Sequence, residues 1–333
     1  MRFALRIIFI LLLPIVANAS ELQVREEIEN SVKALFISEN FELLNSTGSS
    51  YLTNQERTSS GLWKLTLFYV GIASIPNSKV IDPEYWSSLK DKAIRWSKVD
   101  KNASFAHMVY VDILISEAWM YRGGGVASSV RKEDWQPFRE KIEEARQYLL
   151  NHDQYKNTDP RWYEKMLTIA KAQSWSTEQF YTLLDEALSV HPKYYELYFR
   201  AINYLQPKWH GSAEEIEVFA TYAIEKSQAY EGHGMYARIY WYVSQVEYGM
   251  ALFTESVARW EQMRLGIEDV IKKYPDQWNI NNFALFACLA GDNEMTEKLM
   301  SMLNDRPIIS VWKSGKLYDY CESLGDKKAS RLG

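Results

Sequence analysis

An amphipathic helix pattern that recurs along the second half of the chain constrains its fold most strongly. Ser176 and Gln179 form a capping box, in which each side chain can satisfy a free backbone N–H of a helix's first turn. The apolar residues that follow at i, i+3, i+4, i+7 and i+8 make one helical stripe: Phe180, Leu183, Leu184, Ala187 and Leu188. Shifted by 36 residues, the same pattern returns as Ser212, Glu215, Ile216, Phe219, Ala220, Ala223 and Ile224. The chain therefore contains an internal repeat.

Each stripe is followed by a turn and a second helix with a small residue at the helix crossing. The first copy has Pro192 in the turn and Ala201 at the crossing, and a third copy, shifted by 83 residues, has Pro275 and Ala284. The middle copy has Ala237 and a glycine-containing turn instead of the proline. A proline stops the first helix, and a small residue lets two helices approach closely. We therefore predict an all-α fold, a tetratricopeptide-like α-solenoid of antiparallel helix pairs with irregular repeats.

The remaining segments also follow a helical period, and none alternates with the period of a strand. Helices are predicted over residues 62–74, 84–98, 104–121, 132–150 and 161–173. An N-terminal helix over 22–44 is followed by a segment rich in Ser, Thr, Asn and Gly over 45–60, which predicts a linker. The predicted organisation is a signal peptide over 1–19, an N-terminal helix and linker over 20–60, and a helical-repeat domain over 61–333.

The first 19 residues have the layout of a secretory signal peptide. Arg2 and Arg6 precede an apolar run over 7–16, and the small residues Ala-Asn-Ala at 17–19 form a cleavage site. We predict a periplasmic or secreted protein cleaved near Ala19; the alternative is an uncleaved membrane anchor. No later segment has the apolar length of a membrane span, so we expect no stable membrane insertion after cleavage.

Charge and composition exclude several functions. The 38 Lys and Arg residues are scattered among 43 Asp and Glu residues without a basic run, so nucleic acid is not an expected partner. The five histidines lack metal-ligand spacing, and we expect neither a metal nor a cofactor. The only two cysteines, Cys288 and Cys321, lie close in sequence, which in an exported protein favours a disulfide over two buried thiols.

Four phrases resemble a bacterial family known only as a domain of unknown function. They are SGLWKL at 60–65, WMYRGGG at 119–125, YLQPKWHGS at 204–212 and FALFACLAGD at 283–292, and the resemblance covers roughly residues 60–325. It implies an exported, all-helical, tetratricopeptide-like protein and brings no catalytic residues. His210 stands where the family has a glycine, and a positive φ there would strain a histidine.

The glycine-rich phrase suggests one candidate site. Gly123, Gly124 and Gly125 follow Trp119 and Arg122, and backbone N–H groups beside an arginine can hold an anion. The alternative is a wide turn at a helix end.

A second candidate surface carries excess aromatic residues, with Tyr198, Arg238 and Trp241 as its candidate ligand-binding positions. The alternative is core packing. In the turn at 207–212, we predict that Trp209 is a buried plug; the alternative is an exposed anchor for a partner.

No residues stand out as catalytic. We therefore expect a non-catalytic scaffold that binds a protein or peptide in the cell envelope, and an enzymatic activity remains the less favoured interpretation. The alternative, motivated by the many Trp and Tyr residues, is a carbohydrate-binding or carbohydrate-active α/α protein. A glycosidase would need two carboxylates facing each other across an aromatic cleft, and no such pair is evident in the sequence.

Overall fold

The computed structural model describes residues 20–303 and 307–329, and within these ranges the chain is all-helical. It has one isolated antiparallel bridge, Arg57 with Trp63, and no strand in the part described. The predicted all-α class is confirmed. The predicted signal peptide over 1–19 lies outside the described residues. None of the helices within these ranges is long and apolar enough to cross a membrane.

The helices follow one another with short connections. In chain order the α-helices are α1 (Glu21–Ile37), α2 (Phe41–Thr53), α3 (Lys64–Ala73), α4 (Pro83–Ser97), α5 (Phe105–Arg122), α6 (Trp135–Leu150), α7 (Arg161–Ala172), α8 (Thr177–Val190), α9 (Tyr195–Leu205), α10 (Ala213–Glu231), α11 (Gly234–Val243), α12 (Leu252–Glu255), α13 (Trp260–Lys273), α14 (Gln277–Leu289), α15 (Asn293–Met300), α16 (Ile309–Trp312) and α17 (Gly315–Ala329). Short 3₁₀ turns cover Ala127–Ser129, Lys132–Asp134, Asp153–Tyr155 and Gly249–Ala251, and a π-helical turn covers Ser244–Tyr248.

The three predicted repeat copies fold as the helix pairs α8–α9, α10–α11 and α13–α14. Ser176 and Gln179 form the complete capping box at the start of α8, and all five stripe residues of that helix are buried. Ser212 caps α10 by accepting from the backbone N–H of Glu215. The small residues at the crossings are completely buried, as their role requires: Ala201, Ala237 and Ala284.

Gly266 on α13 allows equally close packing between α11 and α13. A Cβ atom on Gly266 would lie 2.6 Å from the His233 carbonyl oxygen and 2.9 Å from Cβ of Ala237. No real side chain tolerates such distances, so a larger residue would push the two helices apart.

The N-terminal segment differs from the prediction of one helix over 22–44 and a linker over 45–60. The chain turns after α1, where Glu39 has a φ of 58°, and Asn40 caps a second helix, α2. The polar and small residues of α2 serve packing: Asn45 accepts from the Trp96 indole at 2.8 Å, and Gly48 lies against the Phe105 ring. The linker prediction is wrong here, because composition does not show tertiary contacts.

The residues after α2 are fixed to helices far along the chain. The Ser60 carbonyl oxygen accepts from Arg238 at 3.0 Å and from Asn279 at 3.1 Å. Ser59 donates its hydroxyl to the Asp276 carboxylate at 2.7 Å. The segment between α2 and α3 therefore joins the start of the chain to α11 and α14.

A disulfide holds the C-terminal helix in place. The sulfur atoms of Cys288 on α14 and Cys321 on α17 lie 2.02 Å apart, and both residues are buried. The bond closes a loop with a sequence separation of 33 residues, which by chain entropy stabilises the fold by about 4 kcal/mol.

Candidate functional site: a basic cavity walled by tryptophans

A cavity of about 540 Å³ lies where the end of α5, the start of α6, the end of α7 and the α9–α10 turn meet. We call it the tryptophan cavity. Three tryptophans and three cations on its wall define its character: Trp119, Trp135, Trp209, Arg122, Lys171 and Lys208. It brings together two phrases that are far apart in the sequence, the glycine-rich turn and the Pro-Lys-Trp turn.

Arg122 lies among the three indole rings. Its guanidinium carbon is 5.0 Å from the Trp119 ring centre, 5.4 Å from that of Trp135 and 5.0 Å from that of Trp209. The side chain is 7% exposed, and burial lowers its pKa. Cation–π attraction to three faces holds the charge in place without an acidic partner.

The glycine-rich turn positions Arg122. Gly123 ends α5 with a φ of 67°, a conformation that glycine adopts without strain. Nη1 of Arg122 then donates to the carbonyl oxygens of Gly123 at 3.2 Å and of Gly125 at 3.0 Å. The turn therefore faces the arginine with its carbonyl groups. The positive charge of the site comes from the side chain, whereas the anion-site prediction assigned part of it to backbone N–H groups.

Lys171 adds a second cation from the last turn of α7. Its ammonium nitrogen lies 4.5 Å from the Trp209 ring centre and 5.8 Å from that of Trp119. Burial lowers the pKa of Lys171 to about 8, and the nearby charges of Arg200, Lys208 and Arg122 act in the same direction. The ammonium group is therefore held in an environment that disfavours its charge.

The positive charge of the cavity is not balanced by acidic residues. In the part of the chain that the structure describes, Arg122, Lys171 and Lys208 have no carboxylate oxygen within 4.0 Å. Lys208 is exposed at the rim, whereas Arg122 and Lys171 lie deeper. Cations that are desolvated and unpaired attract an anion more strongly than the same groups in water.

Trp209 is half-buried and forms a wall of the cavity. The prediction of a buried plug is therefore wrong, because the ring lines an open cavity and has the cations of Arg122 and Lys171 beside it. The strain predicted at the next residue is also absent: His210 is not among the described residues with positive φ. It stacks on Tyr204 at 4.6 Å between ring centres and donates to the Lys171 carbonyl oxygen at 3.3 Å.

The structure divides the predicted ligand residues among three places. Trp119, Arg122, Gly124 and Gly125 line the tryptophan cavity, and Gly123 adjoins it through Arg122. The second group, Arg238 and Trp241, lines a different cavity near α1 and α14.

The remaining residue, Tyr198, lines neither of these cavities. It is completely buried and donates its hydroxyl to the Pro192 carbonyl oxygen at 2.9 Å, so its predicted place on a binding surface is corrected to the core.

Of the six residues that define the tryptophan cavity, Trp135, Lys171 and Lys208 were not predicted as ligand contacts, and Trp209 was predicted as a buried plug. For Lys171, the helical spacing of apolar residues in the sequence does indicate an inward-facing position. It follows Leu167 by four residues and Tyr163 by eight, so a cation lies on the apolar stripe of α7. No local sequence pattern singles out Trp135 or Lys208, because their positions in the cavity depend on how α6 and the α9–α10 turn pack against α5.

The completely buried carboxylate of Glu164 is surrounded by cations of the core. Glu164 accepts two hydrogen bonds from Arg161, both at 2.8 Å, and pairs with Arg200 at 3.1 Å. Burial acts to raise its pKa, but the charges of Arg161, Lys165 and Arg200 outweigh it and lower the pKa of Glu164 to about 2. Both oxygens are occupied by cations inside the core, which is the environment of a structural ion cluster. Within the described ranges, no group of three or more His, Cys, Asp and Glu residues is arranged to hold a metal ion.

No family model matches this chain, and neither does any curated protein or solved structure.

Proposed function

We propose that this chain is a non-catalytic binding protein whose tryptophan cavity takes an acidic segment of a peptide or protein partner. The observation that carries the proposal is the set of three unpaired cations on a cavity walled by three tryptophans. Its volume of about 540 Å³ lies in the range of small-ligand sites, roughly 300–1,000 Å³.

The chemistry of the wall favours a ligand that combines an anion with apolar groups. A carboxylate would approach Arg122 and Lys171 and compensate the desolvated charges. The neighbouring methylene or aromatic groups of the peptide would pack on Trp119, Trp135 and Trp209, because indole rings bury large area at little entropic cost.

We further propose that the fold is a tetratricopeptide-like solenoid that works in the cell envelope. The repeated pairs α8–α9, α10–α11 and α13–α14, with their small crossing residues, support the first part. The layout of residues 1–19 supports export, and the four phrases support membership of the exported family of unknown function.

A peptide titration tests the proposal. The probe is a hexapeptide with four aspartates and two leucines, and its control has asparagine at the four aspartate positions. Binding to the full chain is followed by tryptophan fluorescence and calorimetry at two salt concentrations. We expect saturable binding of the acidic peptide alone, weakened by salt because the contacts are ionic.

Two lysine variants test whether the acidic peptide binds in the tryptophan cavity. Lys171→Met should weaken binding at least tenfold, because charge-assisted hydrogen bonds to buried cations contribute about 1.5–3 kcal/mol. The matched control is Lys193→Met, an exposed lysine outside the cavity, which should bind as wild type. Equal binding of the acidic and amide peptides, or equal binding by the two variants, would refute the proposal.

A further inference from the structure

A second cavity is lined by half-buried aromatic side chains. We call it the aromatic cavity; its volume is about 130 Å³, and it lies between α1, α9, α11 and α14. Phe199 stacks on Tyr242 at 4.9 Å between ring centres, and the ring centre of Trp241 lies 6.2 Å from that of Trp278. None of these four side chains is fully buried, so part of their aromatic area is accessible to a ligand.

A third cavity, of about 340 Å³, continues from the aromatic cavity. We call it the apolar cavity. Three residues line both the aromatic and the apolar cavity: Trp241, Gln245 and Trp278. Four further apolar side chains line the apolar cavity: Met250, Leu285, Phe286 and Val311. Met250 is 40% exposed and its side chain is flexible, so this lining can adapt to the apolar groups of a partner.

The tryptophan cavity adjoins the aromatic cavity. Asn203 lines the tryptophan cavity, and its Oδ1 accepts at 2.8 Å from the hydroxyl of Tyr242, which lines the aromatic cavity. Val246 of the tryptophan cavity directly follows Gln245 in the chain. The three cavities therefore form one continuous surface, which we call the aromatic groove.

The aromatic groove lacks acidic residues, although the protein has a net charge of −5. Among the residues that the structure describes, no Asp or Glu lines any of its three cavities. Two cavities elsewhere differ: one on α8 is lined by Glu178 and Glu186, and one beside α13 is lined by Glu261, Glu268, Asp292 and Arg264. The groove is therefore positive relative to these surfaces, which favours an acidic partner.

The unpaired cations of the groove lie in two of its three cavities. Besides the three cations of the tryptophan cavity, the apolar cavity has the exposed Lys313, which has no carboxylate oxygen within 4.0 Å in the described part of the chain. The arginines of the aromatic cavity have acidic neighbours. Arg25 pairs with Glu21 at 2.7 Å. Nε of Arg238 lies 4.0 Å from the Glu231 carboxylate. The aromatic cavity therefore favours uncharged groups, whereas the other two cavities favour anions.

We propose that the aromatic groove binds one peptide segment of a protein partner, with acidic residues at both ends and apolar or aromatic residues between them. The first acidic end enters the tryptophan cavity, and for this contact the inference rests on the proposed function. The apolar residues pack on Trp241 and Trp278, and the second acidic end approaches Lys313.

Peptides of two lengths test the inference on the full chain. The short probe is the hexapeptide of four aspartates and two leucines. The long probe adds six residues: two phenylalanines, three serines and a terminal aspartate. Six residues reach about 20 Å, and Trp278 and Leu285 lie about 10 Å apart along α14. Its control adds five serines and the aspartate. We expect the long probe to bind about tenfold more tightly than the short probe, and the control to bind within about threefold of the short probe.

Two variants test whether the added residues contact the aromatic groove. Trp278→Ala should raise the Kd of the long probe about tenfold and leave that of the short probe unchanged, because it removes aromatic area outside the tryptophan cavity. Lys313→Glu changes an exposed residue and should raise the Kd of the long probe about fivefold, an effect that salt reduces. The matched control is Lys272→Glu, an exposed lysine outside the three cavities, which should bind both probes as wild type.

The outcomes separate this inference from the proposed function. Equal binding of the short and long probes, or a long-probe Kd that neither Trp278→Ala nor Lys313→Glu changes, would overturn the aromatic groove and leave the tryptophan cavity as the peptide site. Binding of the long probe that Trp278→Ala weakens, without any binding of the short probe, would support the groove and overturn the proposed function. No binding of either probe would overturn both.

Discussion

Replacing Lys171 by methionine should stabilise the protein at neutral pH while weakening peptide binding. The pKa of Lys171 is lowered from 10.5 to about 8, chiefly by burial. A difference of that size corresponds to a free-energy cost of at most about 3 kcal/mol for keeping the ammonium charged in the fold. Methionine has a similar length and no charge. The variant also loses the cation–π contacts with Trp209 and Trp119, which costs about 1–2 kcal/mol. The net increase in the free energy of unfolding at pH 7 is therefore about 1–2 kcal/mol.

The gain should depend on pH in a defined direction. Between pH 8 and 10.5 the unfolded chain binds a proton at Lys171 that the folded protein does not, so the wild type gains stability from this group as pH rises. Below pH 8 Lys171 is protonated in both the folded and the unfolded protein, so the wild type bears the full free-energy cost of the buried charge. The advantage of Lys171→Met should therefore be largest at pH 7 and fall continuously toward pH 10.5.

Urea unfolding of wild type and Lys171→Met at pH 7, 8.5 and 10 measures this difference. Subtraction removes the contribution of groups common to both proteins, including the buried tyrosines. Lys208→Met is the control, because that lysine is exposed on the same cavity and its replacement should leave the free energy of unfolding nearly unchanged at each pH. A stability difference between Lys171→Met and wild type that does not vary with pH would refute the reasoning.

Four further results are expected. Trp209→Ala should weaken acidic-peptide binding at least tenfold and lower the free energy of unfolding by less than the 3–5 kcal/mol of a fully buried tryptophan, because the ring is half-buried; wild-type binding in a titration would contradict this. Glu164→Gln should destabilise the fold by about 3–5 kcal/mol in urea unfolding, because it leaves buried cations unpaired, and a near-neutral effect would contradict the ion-cluster assignment. Cys321→Ser should lower the free energy of unfolding by about 4 kcal/mol, and two alkylatable thiols in freshly isolated wild type would contradict the bond. Intact-mass analysis of exported protein should give an N-terminus at Ser20; a chain that retains Met1 would contradict cleavage.

In the first 60 residues, tertiary contacts override the tendency of the local composition. Composition suggested a linker over 45–60, yet Asn45 bonds Trp96 and Ser60 bonds both Arg238 and Asn279. Ser, Asn and Gly favour turns when nothing else acts on them, but a helix cap at Asn40 and burial of one face override that tendency. These contacts span 51 to 219 positions of the chain, so no local pattern in the sequence reveals them.

Local sequence patterns are enough to specify the helices and their pairing in the repeated part of the chain. Caps, apolar stripes and small crossing residues act within a few turns of helix, so the pattern of Ser176, Gln179 and Ala201 is readable without coordinates. Helix packing, by contrast, sets which distant side chains contact one another. It set Arg122 and Lys171 against Trp209, because side chains distant in sequence meet only where helices pack.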